Sequence, residues 1–241
     1  MALFRKKSIR KTLTPFCTAI IAAAGSSSRM GGEDKLFCEL CGCPVILRTL
    51  RAFQNSEYID EMIVVTREEN IVKIADLCAE NGIDKATKII KGGETRQKSV
   101  LLGVIEASSE ARLIAVHDGA RPLVTENVIK EAVIKALKYT AAAPAIPLKD
   151  TVKEVKDGFA AGTPDRSKLR AVQTPQCFAA EVLRAALENA ERKGVQVTDD
   201  ASAVEAMGGN VFLLEGSEEN IKITTPVDLL LAEAIIRRRE A

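Results

Sequence analysis

Histidine is nearly absent from this sequence. Its 241 residues include one, His117, together with two tyrosines and no tryptophan. A single imidazole excludes a His-rich metal site, and any Ser-His-Asp or Cys-His chemistry would have to run through His117 alone. An excess of one charge is also lacking. The 34 Lys and Arg residues face 33 Asp and Glu, a net charge of +1. That balance exerts no global pull toward nucleic acid or an anionic membrane, so neither is expected as a partner. No apolar run reaches the roughly 18 residues that span a bilayer. Disorder is excluded too, because 46% hydrophobic and 28% charged residues are a globular balance. The length suits one large domain.

The start of the chain resembles a secretory signal, with basic residues 5–11 (RKKSIRK) before the apolar, small stretch 13–24 (LTPFCTAIIAAA). The blander reading is a basic tail over residues 1–16 followed by a first buried strand. The turn that follows, Gly25-Ser-Ser-Ser-Arg29-Met30, suits an active-site loop better than a cleaved end. The six cysteines belong to a chain too long and core-rich to need disulfides. Cys38-x-x-Cys41-x-Cys43 could begin a zinc site, but no second CxxC or His pair completes four ligands. Reduced thiols in the cytoplasm are expected.

Strand-like and helix-like segments alternate along the chain. Strands are expected at 18–24, 61–66, 86–90, 112–117, 141–147 and 210–214. Helices are expected at 45–54, 69–81, 95–107, 126–139, 179–193, 200–207 and 226–239. Short apolar strands between amphipathic helices give an α/β domain over 17–241, with a mostly parallel sheet covered on both faces. The alternation breaks at about 148–174. There Thr151–Val155 alternates, Lys156-Asp157-Gly158 turns, and the chain returns to Leu169–Gln173, a protruding β-arm without its own core. Such an arm often packs on a second subunit.

Four segments could carry chemistry. Ala22–Gly25 ends the first strand and opens a Gly/Ser-rich loop bearing Arg29, with Lys35 nearby. Small residues let backbone amides approach a phosphate, and the two cations favour one. Neither G-x-x-x-x-G-K-[ST] nor G-x-G-x-x-G is present, so an ordinary P-loop or dinucleotide site is not supported. Val116-His-Asp-Gly-Ala-Arg-Pro122 ends another strand. Asp118 suits Mg²⁺ and Arg121 offers a fork for phosphate, or the two simply pair and cap the next helix. Gly92-Gly-Glu-Thr-Arg-Gln-Lys-Ser99 lies at a strand-to-helix junction, where Glu94 and Ser99 could read a base edge. Asn220-Ile-Lys-Ile-Thr-Thr-Pro226 sets Lys222 between apolar residues of a strand-like segment, with Thr225 placed to cap the last helix. Together these loops bring cations and one carboxylate to a strand edge, as attack on a nucleoside triphosphate's α-phosphate requires. A phosphate nucleophile is already ionised near neutral pH and needs no general base.

The order A-A-G-x-x-x-R-M, Lys35, G-G-E-T-R-x-x-S-V, V-H-D-G-A-R-P, P-L-K-D-T-V-K, T-P-Q, T-D-D-A-S-A and N-I-K-I-T-T-P-x-D-L resembles the 2-C-methyl-D-erythritol 4-phosphate cytidylyltransferase family, from about Cys17 to Arg237. The resemblance implies a Rossmann-like nucleotidyltransferase fold and the transfer of a cytidylyl group from CTP to a polyol phosphate. It also implies Mg²⁺ dependence and a homodimer whose β-arms interlock. Arg29 and Lys35 would stabilise the transition state at the α-phosphorus. Arg166 and Lys222 would orient the attacking phosphate. Ala23, Ala24 and Gly25 would contact CTP, and Gly93, Glu94 and Ser99 would recognise cytosine. Asp118 would hold the metal, and Arg121, Thr151, Thr174 and Thr198 would bind the second substrate. Thr151 and Arg166 would serve the partner's site. Ser27, Glu94, Gly119 and Asp200 depart from the residues usual in the family. A ribitol 5-phosphate cytidylyltransferase shares the pattern. A nucleotide-binding module without turnover need not keep Arg29, Lys35 and Lys222 together.

Overall fold

The computed structural model describes residues 14–25 and 34–240. Arg29 and the basic tail up to residue 13 lie outside them. The first half of the chain builds β1 (Cys17–Ala23), α1 (Val45–Asn55), β2 (Glu61–Thr66), α2 (Ile71–Glu80), β3 (Ala86–Lys91), α3 (Arg96–Glu106) and β4 (Leu113–Asp118). Then come α4 (Glu126–Tyr139), β5 (Ala141–Pro147), β6 (Glu154–Lys156), β7 (Phe159–Gly162), β8 (Arg170–Val172) and β9 (Gln176–Ala179). The chain ends with α5 (Ala180–Arg192), α6 (Asp200–Glu205), β10 (Phe212–Glu215) and α7 (Pro226–Glu240).

Strands of one sheet run in the order β10-β5-β9-β4-β1-β2-β3, with β8 pairing off β5. β1 is parallel to both β2 and β4. The chain therefore steps outward from β1 to β3 and returns to the other side of β1 as β4. This is a topological switch point, where open α/β sheets leave a crevice at the strands' carboxyl ends.

The strands are apolar because both their faces are covered. Along β1, Ala19, Ile21 and Ala23 join one core while Ile20 joins the other. Along β2, Met62 and Val64 go one way and Ile63 and Val65 the other. Period-two alternation thus sorts one apolar run between two helical layers. Val45, Ile46, Leu50 and Phe53 of α1 and Ile129 and Val133 of α4 fill the first layer. Val100 and Val104 of α3 and Leu183 and Leu187 of α5 fill the second. No helix among the described residues is long and apolar enough to cross a membrane.

The sheet departs from expectation at β9, which lies antiparallel between β4 and β5. It has four residues, too few to show a period, and a helix was expected from 179. The expected helix over 69–81 divides into a short 3-10 turn, Glu68–Asn70, and α2. The segment from Asn220 to Thr224, expected as strand-like, forms no regular element. The arm is the two-stranded β6–β7 ribbon, turning through Asp157 and Gly158 at φ 51° and 83°. Two consecutive left-handed residues are what a tight hairpin with the natural strand twist demands.

Candidate active site

A cavity of about 300 Å³ opens at the carboxyl ends of β1 and β4. Its floor comes from Ala22, Ala23, Ala24 and Gly25, where β1 gives way to the loop. β1 and β4 run in register, Ala22 opposite Asp118, and the Gly119 amide donates to the Ala22 carbonyl at 2.9 Å. This pairing brings the two loops edge to edge. Lys35 and Leu36 line the cavity where the chain returns.

A second wall is the start of α3, with Gly93, Glu94, Thr95, Arg96 and Ser99. Thr95 caps the helix by accepting the Lys98 amide, an ordinary N-cap. The expected base-reading Ser99 is 2% exposed. Its hydroxyl accepts the Gly93 amide at 3.1 Å and donates to the Thr95 carbonyl at 2.8 Å, so its bonds shape the glycine turn from within. A Cβ on Gly92 would stand 2.7 Å from the Ala24 Cβ and 2.8 Å from the Ser99 Oγ. A side chain there would drive the α3 loop away from the β1 loop.

Asp118 ends β4 and is the charge centre of the site. Lys222 Nζ stands 3.0 Å from its carboxylate, Arg121 Nε 3.3 Å and Arg96 Nε 3.7 Å. Burial works against its charge, but Lys222, Arg96 and Arg121 outweigh that and hold its carboxyl well below the usual range. Arg121 also donates to the Asn220 carbonyl at 2.6 Å. Its fork is thus engaged with protein, and the pairing alternative describes this state better than the free phosphate fork. Lys222 lines the cavity and keeps 39% of its side chain exposed. It reaches there from an irregular segment anchored by Asp228, whose carboxylate accepts the amides and hydroxyls of Thr224 and Thr225. Thr225 stands at the N-cap position just before Pro226, as expected, and its amide and hydroxyl both donate to Asp228.

Thr174 lies behind the cavity. Its Oγ1 accepts the Asp118 amide at 3.1 Å and sits 3.0 Å from His117 Nδ1. The other ring nitrogen of His117 lies 3.2 Å from the Arg121 carbonyl, and the ring packs 4.7 Å from Phe53. Burial pushes this histidine down to about 4, so it is neutral near pH 7. Its two ring nitrogens brace the Asp118 turn through Thr174 and the Arg121 carbonyl.

Ala23, Ala24, Gly25, Lys35, Gly93, Glu94, Ser99, Asp118 and Lys222 meet around one cavity. Thr151, Arg166, Thr174, Thr198 and Arg121 do not line it. Thr151, Arg166 and Thr198 are exposed, and Arg166 is hydrogen-bonded to the Lys149 carbonyl. Sequence reasoning gave no role to Arg96, though it stood in the quoted motif. Its guanidinium lines the cavity, pairs with Asp200 at 2.7 Å and reaches Asp118. Only the packing of α6 against this edge, with Asp200 1% exposed, shows that partnership.

The family model of 2-C-methyl-D-erythritol 4-phosphate cytidylyltransferase matches residues 17–238. The enzyme of that name from Caldanaerobacter subterraneus subsp. tengcongensis is 44% identical over 228 residues, 92% of this chain and 99% of the relative. The Bacillus licheniformis enzyme is 44% identical over 218 residues, 90% and 94% of the two chains. The crystal structure of the Thermus thermophilus enzyme superposes with a TM-score of 0.75 at 35% identity, covering 91% of this chain and 98% of that one. A 4-diphosphocytidyl-2C-methyl-D-erythritol synthase from Anaerococcus prevotii superposes with a TM-score of 0.82 at 30% identity, covering 92% and 99%. With the family model matched over residues 17–238 and relatives 44% identical over nine-tenths of its length, the chain belongs to the 2-C-methyl-D-erythritol 4-phosphate cytidylyltransferase family.

Proposed function

We propose that the cavity at the β1–β4 switch point performs this family's reaction, transferring a cytidylyl group from CTP to 2-C-methyl-D-erythritol 4-phosphate and releasing pyrophosphate. The observation that carries the assignment is the meeting of Lys35, Lys222 and Asp118 around one cavity with the small-residue β1 loop and the glycine turn of α3. An oxygen of the methylerythritol phosphate attacks the α-phosphorus of CTP. The new P–O bond forms as the bond to the pyrophosphate oxygen breaks. Negative charge grows on the α-phosphoryl oxygens and the leaving group, and Lys35, Arg29 and Lys222 neutralise it. The ionised nucleophile needs no base, which agrees with a neutral, buried His117. Gly93, Glu94 and Ser99 form the cytosine side, and Ala23, Ala24 and Gly25 the backbone cradle for the nucleotide. Relatives matched over 90% and 92% of the chain carry the methylerythritol name, which supports that polyol over ribitol 5-phosphate.

The donor set fits Mg²⁺. The ion takes one or two carboxylates, several waters and substrate phosphates and needs no all-protein cage. Asp118 supplies an ionised carboxylate on the cavity wall. Bound there, Mg²⁺ supplies charge neutralisation and alignment for the triphosphate. The enzyme works in the cytoplasm as a homodimer. The exposed arm carries Thr151 and Arg166 into the partner's site, where Arg166 holds the attacking phosphate. Arg121, Thr174 and Thr198 support the polyol side.

Pyrophosphate release tests the reading. It is expected to require CTP, Mg²⁺ and methylerythritol phosphate together, and faster turnover with ribitol 5-phosphate would overturn the choice of polyol. Lys35→Ala is expected to lower kcat by about 100-fold or more while leaving KM for CTP little changed, as for a contact made mainly in the transition state.

A further inference from the structure

Lys35 follows directly on Asp34, and no feature of the reaction uses that acid. Its surroundings are nonetheless built. The Asp34 carboxylate accepts the Leu36 amide at 3.2 Å and the Asn70 side-chain amide at 2.9 Å, and it is ion-paired with Arg67. Its carbonyl accepts the Phe37 amide at 2.9 Å. Leu36, on the other side of Lys35, is core, and its carbonyl accepts the Ile46 amide at 2.9 Å. Lys35 is thus a single residue held between two anchors.

The donors come from one place. Arg67 follows the last residue of β2, and Asn70 ends the 3-10 turn just beyond it. β2 is the parallel neighbour of β1, Thr66 opposite Ala23, and the Thr66 hydroxyl donates to the Ala23 carbonyl at 3.4 Å. The clamp therefore measures the return of the chain at Asp34 against the strand edge from which it left. It lies outside the cavity, since neither Arg67 nor Asn70 lines it. It is not an ordinary surface ion pair, because Asn70 is 7% and the Asp34 side chain 16% exposed. Glu69 holds the other arm of Arg67 at 3.0 Å. Burial works against the Asp34 charge, yet the Asn70, Leu36 and Arg67 donors keep its carboxyl below the usual range.

We infer that Asp34, gripped by Arg67 and Asn70, is a positioning residue that sets the Lys35 ammonium against the α-phosphate. Lysine is a point charge on a long, flexible stem. Its transition-state contact depends on where its backbone is fixed, and a misplacement of about 1 Å can cost about 100-fold in rate. The inference rests on reading Lys35 as the cation of the transition state.

The test is a double-mutant cycle on the full-length enzyme, with kcat, KM for CTP and the melting temperature measured for each variant. Asp34→Ala is expected to lower kcat by about 10- to 100-fold with KM for CTP little changed. Asp34→Asn, which keeps an acceptor for the Leu36 amide, is expected to recover part of that loss. In a Lys35→Ala background, Asp34→Ala should reduce kcat no further, because the group it positions is gone. Asn70→Ala loosens the grip with less disturbance and should shift kcat in the same direction by a smaller factor. Losses that multiply in the double variant would show a general structural role and overturn the proposal. So would an unchanged kcat in both Asp34→Ala and Asn70→Ala. An unchanged kcat in Lys35→Ala alone would instead remove the reading of Lys35 on which the inference stands.

Discussion

At the scale of single residues, the site is organised by charges that face one another before any substrate arrives. Asp118 meets three cations within 3.7 Å, and Arg96 divides itself between Asp118 and Asp200. Two residues expected to touch substrate, Ser99 and Thr174, spend their hydroxyls holding the loops on which their neighbours sit. The residue types were legible in the sequence, because phosphate chemistry draws on few of them. Their partners were not, since an arginine's fork can serve phosphate or carboxylate equally well. His117 gives a prediction at this scale. Burial lowers it from 6.5 to about 4, so between those values the unfolded chain binds a proton that the folded chain refuses. Stability from this source is complete above about pH 6.5 and drains away as the pH falls toward 4, by at most about 3 kcal/mol. Because the sequence has one histidine, His117→Asn isolates the effect. Urea unfolding at both ends of the window is expected to show a smaller acid loss in the variant than in the wild type. Equal losses would contradict the assignment.

At the scale of elements, hydrophobic period was a reliable guide where an element was long enough to show one. α1, α4 and β2 lie where their apolar spacing put them, because each buries the stripe or run that the spacing marked. β9 escaped because its four residues follow Thr174-Pro175 and pass straight into α5. Its pairing is decided by β4 and β5 on either side. The Asn220–Thr224 segment showed the reverse error. Its alternation looks like a strand, but Asn220 reaches back to the Thr174 carbonyl at 2.9 Å and Asp228 gathers Thr224 and Thr225. The segment is pinned by side chains and lacks a ladder. The close approach of α3 to the sheet yields a second prediction. A Cβ on Gly103 would lie 2.6 Å from Ile20 Cγ2 and 3.0 Å from Val65 Cγ2. Gly103→Ala gains helix propensity but overpacks this contact, and a net loss of about 1–3 kcal/mol is expected in chemical denaturation. The glycine turn at the cavity is carried by the same helix, so KM for CTP should rise as well.

At the scale of the whole molecule, the near-zero net charge is mirrored at the sheet edge, where Lys222, Arg121 and Arg96 gather on Asp118 and Arg96 also pairs with the buried Asp200. The arm adds a second question of scale, because its strands are exposed and add nothing to either core. If Arg166 acts across a dimer, two dead variants can repair each other. Lys35→Ala and Arg166→Ala chains, each nearly inactive alone, are expected to recover about a quarter of wild-type activity when co-assembled. Half of the dimers would then be mixed, each with one intact site. No recovery in mixed dimers verified by mass would place Arg166 in its own subunit's service. The sequence by itself determined the alternation of the longer strands and helices, the two-sided burial of the sheet and the residue types at its edge. Each of these follows from local periodicity or from the small menu of side chains that bind phosphate. Only the tertiary structure decided the insertion of β9, the turn of Arg121 and Arg96 toward carboxylates, and the clamp behind Lys35. Those features depend on which groups meet across tens of residues in space. A buried charge or hydroxyl takes whatever partner the packing brings within hydrogen-bond reach, and local sequence carries no record of that partner.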